Sequence, residues 1–155
     1  MFWIEKILMK ILCSIDRAMI FLKHYIPVRY EMTGMPRRKE LPEIPYDALR
    51  EAIINAVAHR DYFEKGANVM VEMFDDRIEI TNPGKSLIEP LRFIDHHPQS
   101  RNEQLAQFMR RVNVCEERGS GIDKVVHWSE VFQLPAPNFI QESNFLKVIM
   151  YSHKV

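Results

Sequence analysis

Apolar positions recur along the chain in two rhythms, one of three to four residues and one of two. In "MFWIEKILMKILCSIDRAMIFLKHY" the residues Ile4, Ile7, Leu8, Ile11, Leu12 and Ile15 fall on one helical face. Glu5, Lys6, Lys10, Asp16, Arg17 and Lys23 interrupt the run, which lacks the about 20 uninterrupted apolar residues that a bilayer span needs. No small-residue cleavage site follows it, as a signal peptide would require. The expectation is an amphipathic helix that needs a partner: the rest of the chain, a second copy, or another domain. "IPVRYEMTGM" alternates like a short strand, and "PRRKELPEIP", proline-rich and charged, reads as a loop.

A second helix is predicted to begin close to Pro45 or Asp47, to bury Leu49, Ala52, Ile53, Ala56 and Val57, and to end near "HRDY". "NVMVEMF" and "RIEIT" carry the two-residue rhythm and predict a hairpin turning at Asp75 and Asp76, with "NPG" stopping its second strand. Lys85 to Gln99 reads as a long irregular loop of the kind that carries function. Ser100 and Glu103 have the spacing of a capping box for a helix through Leu105, Phe108 and Met109. A further helix after "ERGSG" turns Ile122, Val125 and Val126 inward, and "NFIQESNFLKVIMYS" predicts two strands joined through Gln141 to Asn144. This order predicts an α+β fold: a two-layer α/β sandwich with a mixed, mainly antiparallel sheet and helices on one face. The expected division is an N-terminal helix with its connecting strand and loop over 1–41, and the main domain over 42–155.

Composition narrows the function classes. The 155 residues are 46% apolar and 27% charged, enough for one sizeable core. Lys plus Arg and Asp plus Glu both number 21, so no net field draws the chain to nucleic acid or to an anionic membrane. The local basic spots "PRRK" and "MRRV" read as solvated faces. Cys13 and Cys115 stand far apart without further cysteine or histidine clustering, and His96 and His97 have no third ligand in sight. Neither a disulfide framework nor a zinc site is suggested, and a reducing, cytoplasmic setting is expected. Trp128 and Phe132, one turn apart, read as core rather than as a stacking platform.

Two features bear chemistry. In "REAIINAVAHRDY" the residues Glu51, Asn55 and His59 are spaced by four, and each such step turns a helix by only about 40°, so they form a slanted stripe beside the apolar face. A carboxylate there can polarise a water, and an amide oxygen can join the oxygen shell of Mg²⁺. The competing reading is a solvated helix flank, with His59 bonded to the "RDY" tail or to a backbone carbonyl. In "ERGSGIDKV", Gly119 and Gly121 flank Ser120 where a helix begins; bare backbone N–H groups and the helix dipole there suit a phosphate. A structural turn would look the same. No GxxxxGK[ST] occurs, so there is no Walker-type phosphate loop and no support for helicase chemistry.

Taken in order and spacing, "ALREAIINAVAHRDY", "FDDRIEITNPG", "SRNEQLA" and "ERGSGIDKV" resemble the ATP-binding domain of the RecG-like, Schlafen/AlbA-associated transcriptional regulators, a branch of the GHKL ATPases. The resemblance spans Pro42 to about Tyr151. It implies a Bergerat-type sandwich that binds ATP and Mg²⁺, with slow hydrolysis a further option. On that mapping Glu51 matches the catalytic base, Asn55 the magnesium-binding residue, and His59 continues the nucleotide-facing stripe. Asn82 and Gly84 stand where relatives place an Asp-x-Gly turn under the adenine, Gly119, Ser120 and Gly121 where a glycine motif meets the phosphates, and Lys85 to Gln99 resembles part of a lid. Asn82 departs from the aspartate of the relatives, and the glycine motif is short. The resemblance also leaves a homodimer possible and implies DNA contact only through other domains: an N-terminal Schlafen/AlbA-like domain and often a winged helix, neither recognisable here. The alternative is a degenerate domain that binds no nucleotide and serves for dimerisation or docking.

Overall fold

Ile78, Ile80 and Asn82 alternate with Glu79 and Thr81 along one strand, and this alternation divides the molecule into layers. A computed structural model describes residues 2–32, 34, 39–87, 100–115 and 121–153. In chain order the elements are α1 (Phe2–Tyr25), β1 (Val28–Glu31), β2 (Lys39–Pro42), α2 (Tyr46–His59), β3 (Met70–Met73), β4 (Arg77–Pro83), α3 (Glu103–Arg111), α4 (Gly121–Val131), β5 (Asn138–Gln141) and β6 (Phe145–Tyr151). Four strands form one sheet in the order β3-β4-β6-β5, and β1 pairs with β2 in a separate hairpin. Every pairing among the described strands is antiparallel.

Paired residues on neighbouring strands point to the same side of a sheet. Ile78 faces across to Met150 and Ile80 to Val148, so this side is apolar, with Ile78, Ile80 and Met150 each 1% exposed. The helices lie here. On the other side Arg77 Nε donates to Glu79 at 2.8 Å and Lys147 Nζ donates to the second carboxylate oxygen. The hydrogen bond from Lys147, then that from Arg77, holds the Glu79 carboxyl below its usual range.

Helix α2 is the centre of the core. It starts after Pro45, whose fixed φ suits a helix entry and whose missing N–H costs nothing there. Ala48, Leu49, Ala52, Ile53, Ile54, Ala56 and Ala58 are all buried, more of the circumference than the expected single face, while Val57 is only partly covered. The sheet takes one side of the helix, α1 another and α4 a third. From α1 the inward row is Ile15, Met19 and Leu22, continued by Ile26. Of the expected face, Ile15 is buried and Ile11 packs partly buried against the core, while Ile7 is 56% exposed; the side chain of Ile4 lies outside those described. From α4, Val125 is buried and Trp128 packs against the same cluster, with Phe132 meeting the Trp128 ring edge-on at 6.3 Å.

Two boundaries differ from the sequence expectation. Lys39–Pro42 is a strand and not part of a loop: its register with β1, Val28 opposite Pro42 through Glu31 opposite Lys39, comes from pairing with a distant segment that local proline content hides. Strand β4 does not stop before Asn82 but runs through it to Pro83. Pairing with β3 ends at Thr81, so the Pro83 ring interrupts no ladder on that side, and β6 carries the pairing on to Phe145. Among the described residues no helix is long and apolar enough to cross a membrane.

Two expectations follow. Leu22→Ala, at a site 1% exposed, should lower the unfolding free energy by about 2–5 kcal/mol in urea titrations. A loss below about 0.5 kcal/mol, the range of neutral surface changes, would show that α1 is an appendage. Because folding lowers the Glu79 pKa from 4.5, its contribution is fully present above that value and is lost as pH falls through the folded-state value. Denaturation midpoints of Glu79→Gln should therefore change less than those of the wild type on acidification below pH 4.5.

Candidate functional site at the α2, α4 and β4 junction

The polar stripe of α2 is not a solvated flank. Glu51 is 7% exposed, and Asn55 and His59 are partly buried. The Asn55 amide rests on the bare Cα of Gly121, the first residue of α4: a Cβ built there would lie 2.3 Å from Asn55 Nδ2 and 2.7 Å from Oδ1. Even alanine at this point would push the Asn55 amide out of its place. The Nδ2 atom is buried without a hydrogen-bond partner, an arrangement that costs stability unless something fills it. One turn earlier, Arg50 donates to the carbonyl of Val114 at 2.7 Å, fixing the start of the stripe to the chain leaving α3. Glu51 lies close enough to Cys115 to help raise the pKa of that thiol, an effect led by burial. At the far end, burial lowers the His59 pKa and the nearby Arg101 charge lowers it further, which favours a neutral imidazole.

A second cluster joins the end of α2 to the end of β4. The expected bonding of His59 to the Arg-Asp-Tyr tail is replaced by other contacts of that tail. The Asp61 carboxylate takes Arg101, and its backbone N–H donates to the Pro83 carbonyl at 3.0 Å; Tyr62 Oη turns back to the Val57 carbonyl at 3.0 Å. Gly84 adopts φ of 99°, in the left-handed region that glycine tolerates best. Its missing side chain again makes room: a Cβ would lie 2.6 Å from Arg101 Nη1 and 2.7 Å from Asp61 Cβ. Arg101 Nη2 also donates to the Lys85 carbonyl. Asn102 Nδ2 donates to the carbonyls of Ala58 at 3.0 Å and Arg60 at 2.7 Å, satisfying acceptors that the end of α2 leaves open.

That last contact overturns the capping-box expectation. Helix α3 begins at Glu103 with Asn102 as N-cap, and no side-chain cap bond forms. Among the described residues Ser100 Oγ is buried without a partner, and Asn102, at the N-cap, spends its side chain on α2. Asp61, Arg101 and Asn102 were thus missed as organising residues; the only sequence signal was their place within "HRDY" and "SRNE", which both had readier local readings.

Asn82 lies on β4, two residues before Gly84. It is 5% exposed, and its Oδ1 is buried without a hydrogen-bond partner. By strand alternation it shares the helix-facing side with Ile78 and Ile80. The structure therefore gathers Glu51, Asn55 and Gly121 where α2 meets α4, and His59, Asn82 and Gly84 near the junction of α2 and β4. Gly119 and Ser120 lie outside the described residues, as do His96, His97 and 88–99 of the expected lid. Asp61→Asn and Arg101→Gln, combined in a double-mutant cycle, should show a coupling of about 0.5–3 kcal/mol in unfolding free energy. Strictly additive losses would mean that the pair does not fasten these elements.

The crystal structure of the DIP2311 protein from Corynebacterium diphtheriae superposes with a TM-score of 0.82 at 22% identity, over 91% of this chain and 29% of that one. This likeness establishes the α+β fold, a two-layer α/β sandwich, and the chain spans less than a third of that protein's length. No curated protein matches. Residues 66–150, which include Asn82, Gly84 and Gly121 but begin after α2, match a family model. On that match, which covers more than half of the residues, the chain belongs to the family described as "Putative ATP-dependent DNA helicase recG C-terminal".

Proposed function

We propose that this chain is the Mg-ATP-binding module of a transcriptional regulator, hydrolysing ATP slowly if at all. The observation that carries the reading is the Asn55 amide, buried with an unpartnered atom and seated on the bare Cα of Gly121. A half-turn about its last side-chain bond presents either the oxygen or the nitrogen, so the group suits a cation-bound phosphate that borrows one protein oxygen. Glu51, one turn away and 7% exposed, supplies a carboxylate in a largely dry setting. The start of α4 adds backbone donors and a favourable dipole for phosphate. The family and the fold support the same reading.

The division of labour follows from residue chemistry. Asn55 would hold Mg²⁺, whose charge would neutralise the phosphates. Glu51 would orient a water and accept its proton, and Gly121 keeps the approach open because any larger residue would displace Asn55. Asn82 offers its unpaired oxygen to the base. A degenerate docking domain remains the second reading, favoured by the exposed Phe21 and Ile20 on α1, 55% and 68% accessible.

Titration calorimetry separates these readings. ATP with Mg²⁺ should bind, and Asn55→Ala should weaken binding far more with Mg²⁺ than without it; equal losses would remove Asn55 from the metal. Should phosphate release be detectable, Glu51→Gln should suppress it about 10²- to 10⁴-fold with ATP affinity nearly unchanged. A chain that binds no nucleotide would be the docking domain.

A further inference from the structure

Asn82 is a neutral amide in a position where the nucleotide reading calls for recognition of a base. Its backbone cannot shift easily. Asn82 pairs with Leu146 of β6, Pro83 accepts from Asp61 at 3.0 Å, and Gly84 donates to the Asn144 carbonyl at 2.8 Å. The side chain is 5% exposed, with Oδ1 buried and unpaired. A rigid strand end thus presents an unsatisfied polar group on the helix-facing side of the sheet, continuing the row of Ile78 and Ile80. Buried polar atoms normally find partners within the fold, and the unpaired Oδ1 leaves Asn82 with an acceptor free for a bound molecule.

What an amide can meet differs from what a carboxylate can meet. An ionised carboxylate only accepts hydrogen bonds, whereas an amide carries one acceptor and two donors side by side. Adenine offers the N6 amino group as donor next to the N1 acceptor. Guanine and hypoxanthine offer the N1–H donor next to the O6 acceptor. The Asn82 oxygen and nitrogen match the first edge in one orientation and the second after a half-turn about the terminal side-chain bond, at no electrostatic cost. A carboxylate in the same place would accept from adenine N6 but would set a negative oxygen against guanine O6.

We propose that the site takes purine nucleoside triphosphates without choosing between 6-amino and 6-oxo bases, and that Asn82 is the residue that makes it permissive. This rests on the nucleotide-binding reading above, and the experiment distinguishes the two. The full chain is titrated calorimetrically with ATP, GTP and ITP in the presence of Mg²⁺, as wild type, Asn82→Asp and Asn82→Ala, with thermal melts to establish that each variant is folded. In the wild type the three dissociation constants should agree within about threefold, well under the tenfold that one strong hydrogen-bond difference produces. Asn82→Asp should raise the preference for ATP over GTP by about tenfold or more, while Asn82→Ala should weaken ATP and GTP alike. If the aspartate variant does not fold, the alanine variant decides: unequal losses for ATP and GTP overturn the proposal. A wild type that prefers ATP by more than about tenfold, or an aspartate variant whose ratio does not move, also overturns it and leaves nucleotide binding standing. Failure of all three triphosphates to bind removes the nucleotide reading itself, and this proposal with it.

Discussion

The burial of α2 on three sides is the constraint from which the rest of the structure follows. A helix enclosed by a sheet and two other helices must be narrow where they approach, and Ala48, Ala52, Ala56 and Ala58 provide that, all at 6% exposure or less. The same close approach seats the Asn55 amide on the bare Gly121, where a methyl group would displace it. Polar side chains on such a helix cannot be left to solvent. Glu51 and Asn55 therefore occupy an interface that a surface helix would have filled with apolar residues, and their desolvation is set by the fold.

The sheet is asymmetric for a related reason. Its α2-facing side ends in a polar residue, Asn82, just where the helix ends, and the two ends are lashed together by side chains from one short segment. Arg101 spans Asp61 and the Lys85 carbonyl, while Asn102 closes the last carbonyls of α2. A single connection thus fixes the exit of the helix, the exit of the strand and the entry to α3. The opposite side of the sheet is fastened by its own ion pairs, since the Glu79 carboxylate takes both Arg77 and Lys147, and Arg77 also meets Asp76.

Elements whose formation depends on local rhythm were legible from the sequence: α1, α2, α4 and the strand pairs β3–β4 and β5–β6. The Glu51, Asn55 and His59 stripe was visible as spacing, though its burial was not, because nothing local announces that α4 will cover the polar flank. What escaped was decided at a distance. Strand β2 exists through its register with β1, β4 continues through Pro83 because β6 accompanies it, and Asn102 abandons its own helix for the carbonyls of another. In each case a local preference was outbid by a partner far along the chain, and only coordinates reveal such partners.

The pairing of β4 with β6 has a kinetic meaning. The outer hairpins close over short turns, but Arg77 meets Tyr151 and Pro83 meets Phe145 only after the whole of α3 and α4 has been traversed. Loop-closure entropy places such a pairing late among folding events. Asn82 and Gly84 acquire their backbone partners Leu146 and Asn144 from that same event. A chain halted before it can have its hairpins and its central helix, yet Asn82 and Gly84 still lack their backbone partners, so this end of β4 takes its final form with the completed fold and not ahead of it.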